Sequence, residues 1–299
     1  MFRLIFFGNY FYGLCAVALS IEASLQQRYP LNRLIFYLLV FSTTVLYYSI
    51  AYLGTEVSPD SANERSAWYA VNRRFMRGSQ FFFLIVLIAS SAVFFIQRWE
   101  EVFSMRIGEW ALLFVFPLVS GLYYGINNRF TGHVNLRNVG WLKPFIIGFT
   151  WAGLVTVYPV MFYALDHGDH YQSTLVGLFL FIKNFMYITL LCIIFDIKDY
   201  EMDYNQQLKT YVVKLGLYKT IFYIIIPLCI VGLASFIGYA FFNHFHPVKI
   251  LLNTIPFLLV ILVARSMNYN RSIFYYLVVI DGLMLVKALC GSAGMLFFS

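Results

Sequence analysis

Long apolar segments alternate with short polar ones along the whole chain. Each segment is long enough to cross about 30 Å of hydrocarbon as a helix that rises about 1.5 Å per residue. None shows the sustained alternation of apolar and polar positions that a membrane β-barrel strand requires. The pattern predicts an all-α polytopic membrane protein with about nine transmembrane helices, at roughly 4–24, 33–53, 79–97, 109–126, 144–165, 173–195, 218–242, 248–265 and 273–295.

The first apolar segment could instead belong to a signal peptide, because small residues that would permit cleavage follow it. Signal peptides have an apolar core of about 7–15 residues behind a basic start. Residues 4–21 form a longer apolar run with only Arg3 before it, and similar segments follow. We therefore expect a retained first spanning helix.

The composition agrees with a membrane protein. The 299 residues are 61% hydrophobic and 12% charged, whereas a soluble domain carries about 25% charged residues. Intrinsic disorder is excluded, since it needs low hydrophobicity and high charge, and a soluble enzyme of this length is disfavoured. No linker or low-complexity tract divides the chain, so we expect one domain over residues 1–299.

Basic residues are distributed unequally between the loops, which predicts the orientation, because cytoplasmic loops carry an excess of Lys and Arg. With the N-terminus in the cytoplasm, most basic residues fall in inside segments, and the outside segments hold Arg28, Arg33, Arg98, Arg106 and Lys249. We expect an integral protein of a bacterial inner (plasma) membrane, with its C-terminus outside. This bias and attraction to anionic lipid explain the net charge of +7, so no nucleic-acid partner is needed.

Three aspartates, Asp196, Asp199 and Asp203, lie close together where the sixth segment ends. Their i, i+3, i+7 spacing places them on one face of a helix, where a bound cation would relieve their mutual repulsion. Carboxylate oxygens suit Mg²⁺, which commonly joins one or two carboxylates to substrate phosphates. Such a helix end could hold a diphosphate group with help from nearby lysines. The alternative is a solvated helix end whose acids pair with local lysines.

The stretch DIKDYEMD, with KT and LG downstream, resembles the second aspartate-rich motif, DxxDxxxD, of the UbiA superfamily of membrane prenyltransferases. Residues 136–159, LRNVGWLKPFIIGFTWAGLVTVYP, resemble the fourth loop and fifth helix of that family. The resemblance implies a helical bundle around a lipid-accessible cavity. It also implies the Mg²⁺-dependent transfer of a prenyl group from a polyprenyl diphosphate to an aromatic or quinone-precursor acceptor.

The same resemblance implies roles for particular residues. Asp196, Asp199 and Asp203 would be the catalytic metal ligands. The basic side chains that would contact the diphosphate are Lys143, Lys209 and Arg137.

The chain departs from the family in its second segment, where a first motif of the form NDxxDxxxD is expected. Ser49 lies near the expected Asn, and no aspartate triad follows. Glu56 and Asp60 lie beyond the expected place, beside Pro59, which disfavours a continuous helix. Four arginines follow instead: Arg65, Arg73, Arg74 and Arg77. Either arginines replace one metal in holding the diphosphate, since guanidinium groups bind phosphate well, or the chain has kept the fold without the chemistry.

Ionisable residues also lie within the apolar segments, namely Lys183, Asp281 and Lys287. Such groups are costly in a membrane and usually face a partner or a cavity. Lys183 and Asp281 could pair with each other or line a cavity, and they are also the basis of a transporter hypothesis. We expect the acidic outer loop with Asp166, His167, Asp169 and His170 to be solvated.

The sequence therefore supports an enzyme hypothesis, a UbiA-like prenyltransferase that binds prenyl diphosphate and lipid. The alternatives are a catalytically inactive lipid-binding or accessory protein on the same fold, or a transporter.

Overall fold

The computed structural model describes residues 2–53, 64–124, 126–128, 132–134, 139–205, 207–242, 244–267 and 272–298. The described chain is almost entirely helical, and the predicted all-α class is confirmed. Glu56, Asp60 and Arg137, which the sequence analysis singles out, lie outside the described residues.

The first half of the chain forms seven helices and one short antiparallel hairpin. In chain order they are α1 (Phe2–Phe7), α2 (Tyr10–Gln26), α3 (Leu34–Leu53), α4 (Glu64–Val71), α5 (Arg73–Gln97), α6 (Trp99–Phe103), α7 (Ile107–Tyr124), β1 (Ile126–Asn128) and β2 (Gly132–Val134). The strands pair with Ile126 opposite Val134.

The second half contains six helices, several of them long. They are α8 (Lys143–Asp166), α9 (Leu175–Phe195), α10 (Tyr200–Asn205), α11 (Tyr211–Phe241), α12 (Pro247–Arg265) and α13 (Ile273–Phe297). Single π-helical turns interrupt three of them, at Gly153–Val157 in α8, Ile221–Ile225 in α11 and Tyr276–Ile280 in α13.

Among the described residues, six helices are long and apolar enough to cross a membrane, namely α5, α8, α9, α11, α12 and α13. Two shorter apolar helices, Leu34–Ile50 and Ile107–Tyr123, come close to that length. The chain is an integral membrane protein, and the count of nine spanning helices stays a prediction.

The first predicted helix is broken into α1 and α2 at Asn9. Asn9 adopts a left-handed conformation with φ of 66°, which Asn tolerates better than most residues. Its buried amide donates to Ser49 Oγ and to the Tyr69 hydroxyl, each at 3.0 Å. The break therefore ties the start of the chain to α3 and α4.

Helix α2 lies inside the bundle, where it packs against α3, α13 and the π-helical turn of α8. Helix α5 lies at the periphery and exposes large apolar side chains that include Phe81, Phe82, Ile88 and Ile96. Exposed apolar area of this size is unfavourable in water and is suited to lipid.

Helices α8 and α9 pack closely, and Gly148 makes this possible. A Cβ atom at Gly148 would lie 2.3 Å from Thr189 Oγ1 and 2.9 Å from the Phe185 carbonyl oxygen. Because these distances are too short for any side chain, only glycine permits the approach. This contact sets the start of α8 beside the end of α9, where the candidate site lies.

Candidate active site

A buried ion pair joins α8 to the end of α9. Lys143, the first residue of α8, donates to Asp196 Oδ1 at 2.7 Å. Asp196 directly follows α9 and is 1% exposed, and the Lys143 side chain is 19% exposed. Two residues that the sequence analysis assigned to one diphosphate site are therefore in contact, although 53 positions separate them.

The three aspartates do not lie on one continuous helix, which corrects the expectation from their spacing. Helix α9 ends at Phe195, and the next amides bond three residues back, from Ile197 to Ile194 and from Lys198 to Phe195. Bonds of this type tighten the chain at helix ends. The helical path resumes in α10, which carries Asp203.

The turn nevertheless leaves the three carboxylates within electrostatic reach of one cation. The Lys143 ammonium interacts electrostatically with Asp196, Asp199 and Asp203. Asp199 also pairs with the adjacent Lys198. The local pairing expected for a solvated helix end therefore applies to Asp199, whereas Asp196 takes its partner from the preceding helix, α8.

Two carboxylate oxygens at this end of α9 are buried and lack a hydrogen-bond partner among the described residues. They are Oδ2 of Asp196 and Oδ2 of Asp203. Asp203 is 3% exposed, and its burial raises the pKa of this carboxyl to about 6. Buried polar atoms are normally satisfied, so these two oxygens are available to a ligand that is a cation or a donor.

A cavity of about 340 Å³ opens beside this ion pair, within the size range of small-molecule sites. Lys143, Asp196 and Asp199 line one part of it. Its remaining wall is mainly aromatic and aliphatic, and includes Tyr48, Phe116, Trp151, Tyr158, Ile188 and Leu191. The cavity thus joins a charged end to an apolar body, as a ligand with an anionic head and a hydrocarbon chain requires.

Arg65 reaches the same cavity from α4, near the place of the missing first motif. The residue is 4% exposed. Its guanidinium donates to the Phe7 carbonyl and to Asn9 Oδ1, and it lies 4.5 Å from the centre of the Tyr52 ring. Arg65 is therefore a fixed buried cation in the cavity wall.

The other three arginines of that region are placed differently. Arg74 and Arg77 are exposed, Arg73 is partly exposed, and none of them lines the cavity. Of these four arginines, Arg65 is therefore the one that could replace a metal ion in holding the diphosphate.

Lys209, the second lysine proposed to contact diphosphate, is exposed and lies outside the cavity wall. Its backbone packs against Gly140, just before α8. The role predicted for its side chain stays a prediction, as does that of Arg137.

The residues at the end of α9 fit Mg²⁺ in part. Within the described ranges, no group of three or more His, Cys, Asp or Glu side chains could hold a metal ion by itself. Mg²⁺ in phosphate sites, however, is usually bound by one or two carboxylates, with waters and phosphate oxygens completing the shell. The unpartnered oxygen of Asp196 meets that requirement, and Asp199 lines the same cavity.

Lys183 and Asp281, which the sequence suggested could pair within the membrane, have separate surroundings. Lys183 donates to Asn253 Oδ1 at 3.0 Å and to Gln26 Oε1 at 3.3 Å, whereas Asp281 lines the cavity. The suggested Lys183–Asp281 pair is wrong, because helix packing directs Lys183 towards α2 and α12.

Glu22 is the residue that sequence reasoning missed here. It is 0% exposed within α2, accepts from Lys287 Nζ at 2.6 Å, and lies 3.9 Å from Lys183 Nζ. The sequence does contain a signal for this residue. Glu22 is an acid inside an apolar segment, and such a group needs a buried cation as its partner.

The outer loop is less solvated than expected at one position. Asp166 is 7% exposed and binds Arg33 at 3.0 Å and Arg98 at 3.1 Å. His170 lies 3.2 Å from Glu109. Two basic residues that the sequence placed outside thus hold the end of α8.

These features define an integral membrane protein whose described part is an all-α bundle. The chain is similar to a solved structure of a digeranylgeranylglyceryl phosphate synthase in membranes. The match has a TM-score of 0.54 at 14% sequence identity and covers 99% of both chains. The predicted resemblance in fold is confirmed. No protein-family model matches the chain, and neither does the sequence of any curated protein.

Proposed function

We propose that the protein is an intramembrane prenyltransferase that takes its prenyl group from a polyprenyl diphosphate. The observation that carries this proposal is the buried, unpartnered Oδ2 atom of Asp196, whose other carboxylate oxygen accepts a hydrogen bond from the Lys143 ammonium. A hydrocarbon-lined cavity starts at that charged end. The fold shared with a prenyltransferase structure adds support.

The chain's own groups bind the donor in this proposal. Lys143 offers an ammonium to the diphosphate oxygens, and the resemblance assigns further contacts with the diphosphate to Lys209 and Arg137. Asp196, Asp199 and Asp203 hold Mg²⁺. When bound, Mg²⁺ stabilises the negative charge that develops on the departing diphosphate.

The prenyl chain lies along the aromatic and aliphatic wall, which keeps water away from the reacting carbon. The acceptor, proposed from the resemblance to be an aromatic or quinone-precursor compound, enters the same cavity. We propose that residues 1–299 form one domain in a bacterial inner membrane, with the N-terminus cytoplasmic and the C-terminus outside.

Purified protein in lipid nanodiscs can test donor binding. Farnesyl and geranylgeranyl diphosphate should raise the unfolding temperature in the presence of Mg²⁺, and diphosphate release should follow when an acceptor is present. Asp196→Asn and Asp203→Asn should each weaken Mg²⁺-dependent donor binding at least tenfold. Glu201→Gln is the matched control, because Glu201 is an exposed acid in the same short helix α10.

Absence of any stabilisation by donors of all chain lengths would refute the proposal. Binding without diphosphate release, across a broad panel of acceptors, would favour the alternative of an inactive lipid-binding protein on this fold.

A further inference from the structure

The cavity wall contains a third acidic residue, Asp281, on helix α13. It is 6% exposed and lies in α13, directly after the π-helical turn Tyr276–Ile280. The Tyr12 hydroxyl of α2 lies close enough to act on this carboxylate, and both residues line the cavity. The cavity therefore has an acid–tyrosine pair in its wall as well as the charged end formed by Lys143 and Asp196.

The surroundings hold this pair in place. The Tyr12 ring stacks on Tyr48 at 4.5 Å between ring centres, and the Tyr48 hydroxyl accepts from Trp151 Nε1 at 2.6 Å. The positive charge of Arg65 also acts on Asp281. These contacts hold the Tyr12 ring in place beside Asp281, and a group that must meet a substrate atom needs such fixed neighbours.

Asp281 lies near the reaction site of the proposed function. Asp281 and Asp196 are both within electrostatic reach of Cys192, which itself lines the cavity. Asp196 and Asp199 are already engaged with Lys143 and Lys198. Asp281 forms no ion pair within the described part of the chain, so its carboxylate can receive a proton.

Prenyl transfer to a hydroxyl group needs such a receiver. The bond between the allylic carbon and the diphosphate oxygen breaks, and its electron pair leaves with the diphosphate. A lone pair of the acceptor oxygen forms the new carbon–oxygen bond, and the hydroxyl proton must then leave. Lys143 as an ammonium can only donate, so it cannot take that proton.

We infer that Asp281 is the catalytic base that accepts the proton of the acceptor, with Tyr12 as its positioning residue. This inference rests on the proposed function and specifies the acceptor side of it. A positioned general base contributes about 10²–10⁴-fold to a rate.

The test separates donor binding from transfer. Full-length protein in nanodiscs is given geranylgeranyl diphosphate and Mg²⁺. The hydroxyl probes are geranylgeranylglyceryl phosphate and a series of para-substituted phenols. Product formation and diphosphate release are followed by mass spectrometry and phosphate detection. Asp281→Asn should lower transfer about 10²–10⁴-fold and leave the donor affinity within twofold of wild type.

Gly282→Ala is the control, since an added Cβ there meets no atom within 4 Å, and it should transfer at the wild-type rate. Tyr12→Phe keeps the ring and removes the hydroxyl, so it should lower transfer less than Asp281→Asn and spare donor binding. If Asp281→Asn does not fold, Tyr12→Phe carries the test. Among phenols, the defect of either variant should shrink as the phenol becomes more acidic.

Transfer by Asp281→Asn within threefold of wild type would overturn the inference, and so would an equal loss of donor binding and transfer. If wild-type protein releases diphosphate yet attaches the prenyl group to none of the probes, the inference also fails. Wild-type protein that binds no donor overturns the proposed function instead.

Discussion

Removing the Lys143 ammonium should show how strongly the candidate site depends on one buried ion pair. The Asp196 carboxylate is 1% exposed, and its Oδ2 atom already lacks a partner among the described residues. Lys143→Met also removes the hydrogen bond to Oδ1, so that neither oxygen of this buried carboxylate keeps a partner there. Breaking a buried pair by removing one partner costs about 3–5 kcal/mol. Because the lysine side chain is 19% exposed, water can partly replace it, and we expect a loss of about 3 kcal/mol in the free energy of unfolding.

The double variant Lys143→Met/Asp196→Leu removes both charges. Replacing a buried pair by apolar groups is often neutral or stabilising, so the double variant should unfold within about 1 kcal/mol of wild type. The assay is reversible unfolding in mixed micelles without divalent cations, followed by circular dichroism. Lys214→Met, at an exposed position, serves as the control and should change the unfolding free energy by less than about 0.5 kcal/mol.

The single variant Asp196→Leu completes the comparison. If the double variant loses as much unfolding free energy as Lys143→Met and Asp196→Leu lose together, the effects are additive and this expectation is contradicted. Additivity would mean that the two charges do not interact across α8 and α9.

Three further predictions concern the same bundle. Without Mg²⁺, Asp203→Asn should be neutral or slightly stabilising, because it removes a buried charge with an unpartnered oxygen. The variant should nevertheless abolish the rise in unfolding temperature that Mg²⁺ and donor cause together. A large loss of stability without Mg²⁺ would contradict this prediction. Glu22→Gln should destabilise the fold by about 3 kcal/mol in micelle unfolding, because it leaves the buried Lys287 without its carboxylate; donor affinity of the folded protein should not change, since Glu22 does not line the cavity. Gly148→Val should lower the free energy of unfolding by about 1–3 kcal/mol or more, because the added side chain overpacks against Thr189, and it should weaken donor binding. Gly121→Ala is the control, since no atom lies near its added Cβ, and it should change neither property.

Much of the fold was predictable from the sequence, because the signal for a membrane helix is local. An apolar run of about 20 residues has few alternatives to a spanning helix. The predicted segments coincide with helices in the described chain, and the aspartates lie at the end of α9, where the charge pattern put them. The break at Asn9 was not predictable, since it depends on partners in α3 and α4 that bind the Asn9 amide.

The candidate site was predictable only as a set of residue types. The amino-acid order alone specifies that acids and lysines gather where the sixth apolar segment ends, and that the first motif lacks its aspartates. It does not specify which lysine meets which acid. Helix packing brings Lys143 to Asp196, Arg65 into the cavity, Lys183 to Asn253, and Asp281 to Tyr12. The difference arises because hydrophobic periodicity specifies which stretches become helices, whereas the partners of a buried charge depend on the rotation and packing of helices far apart in the chain.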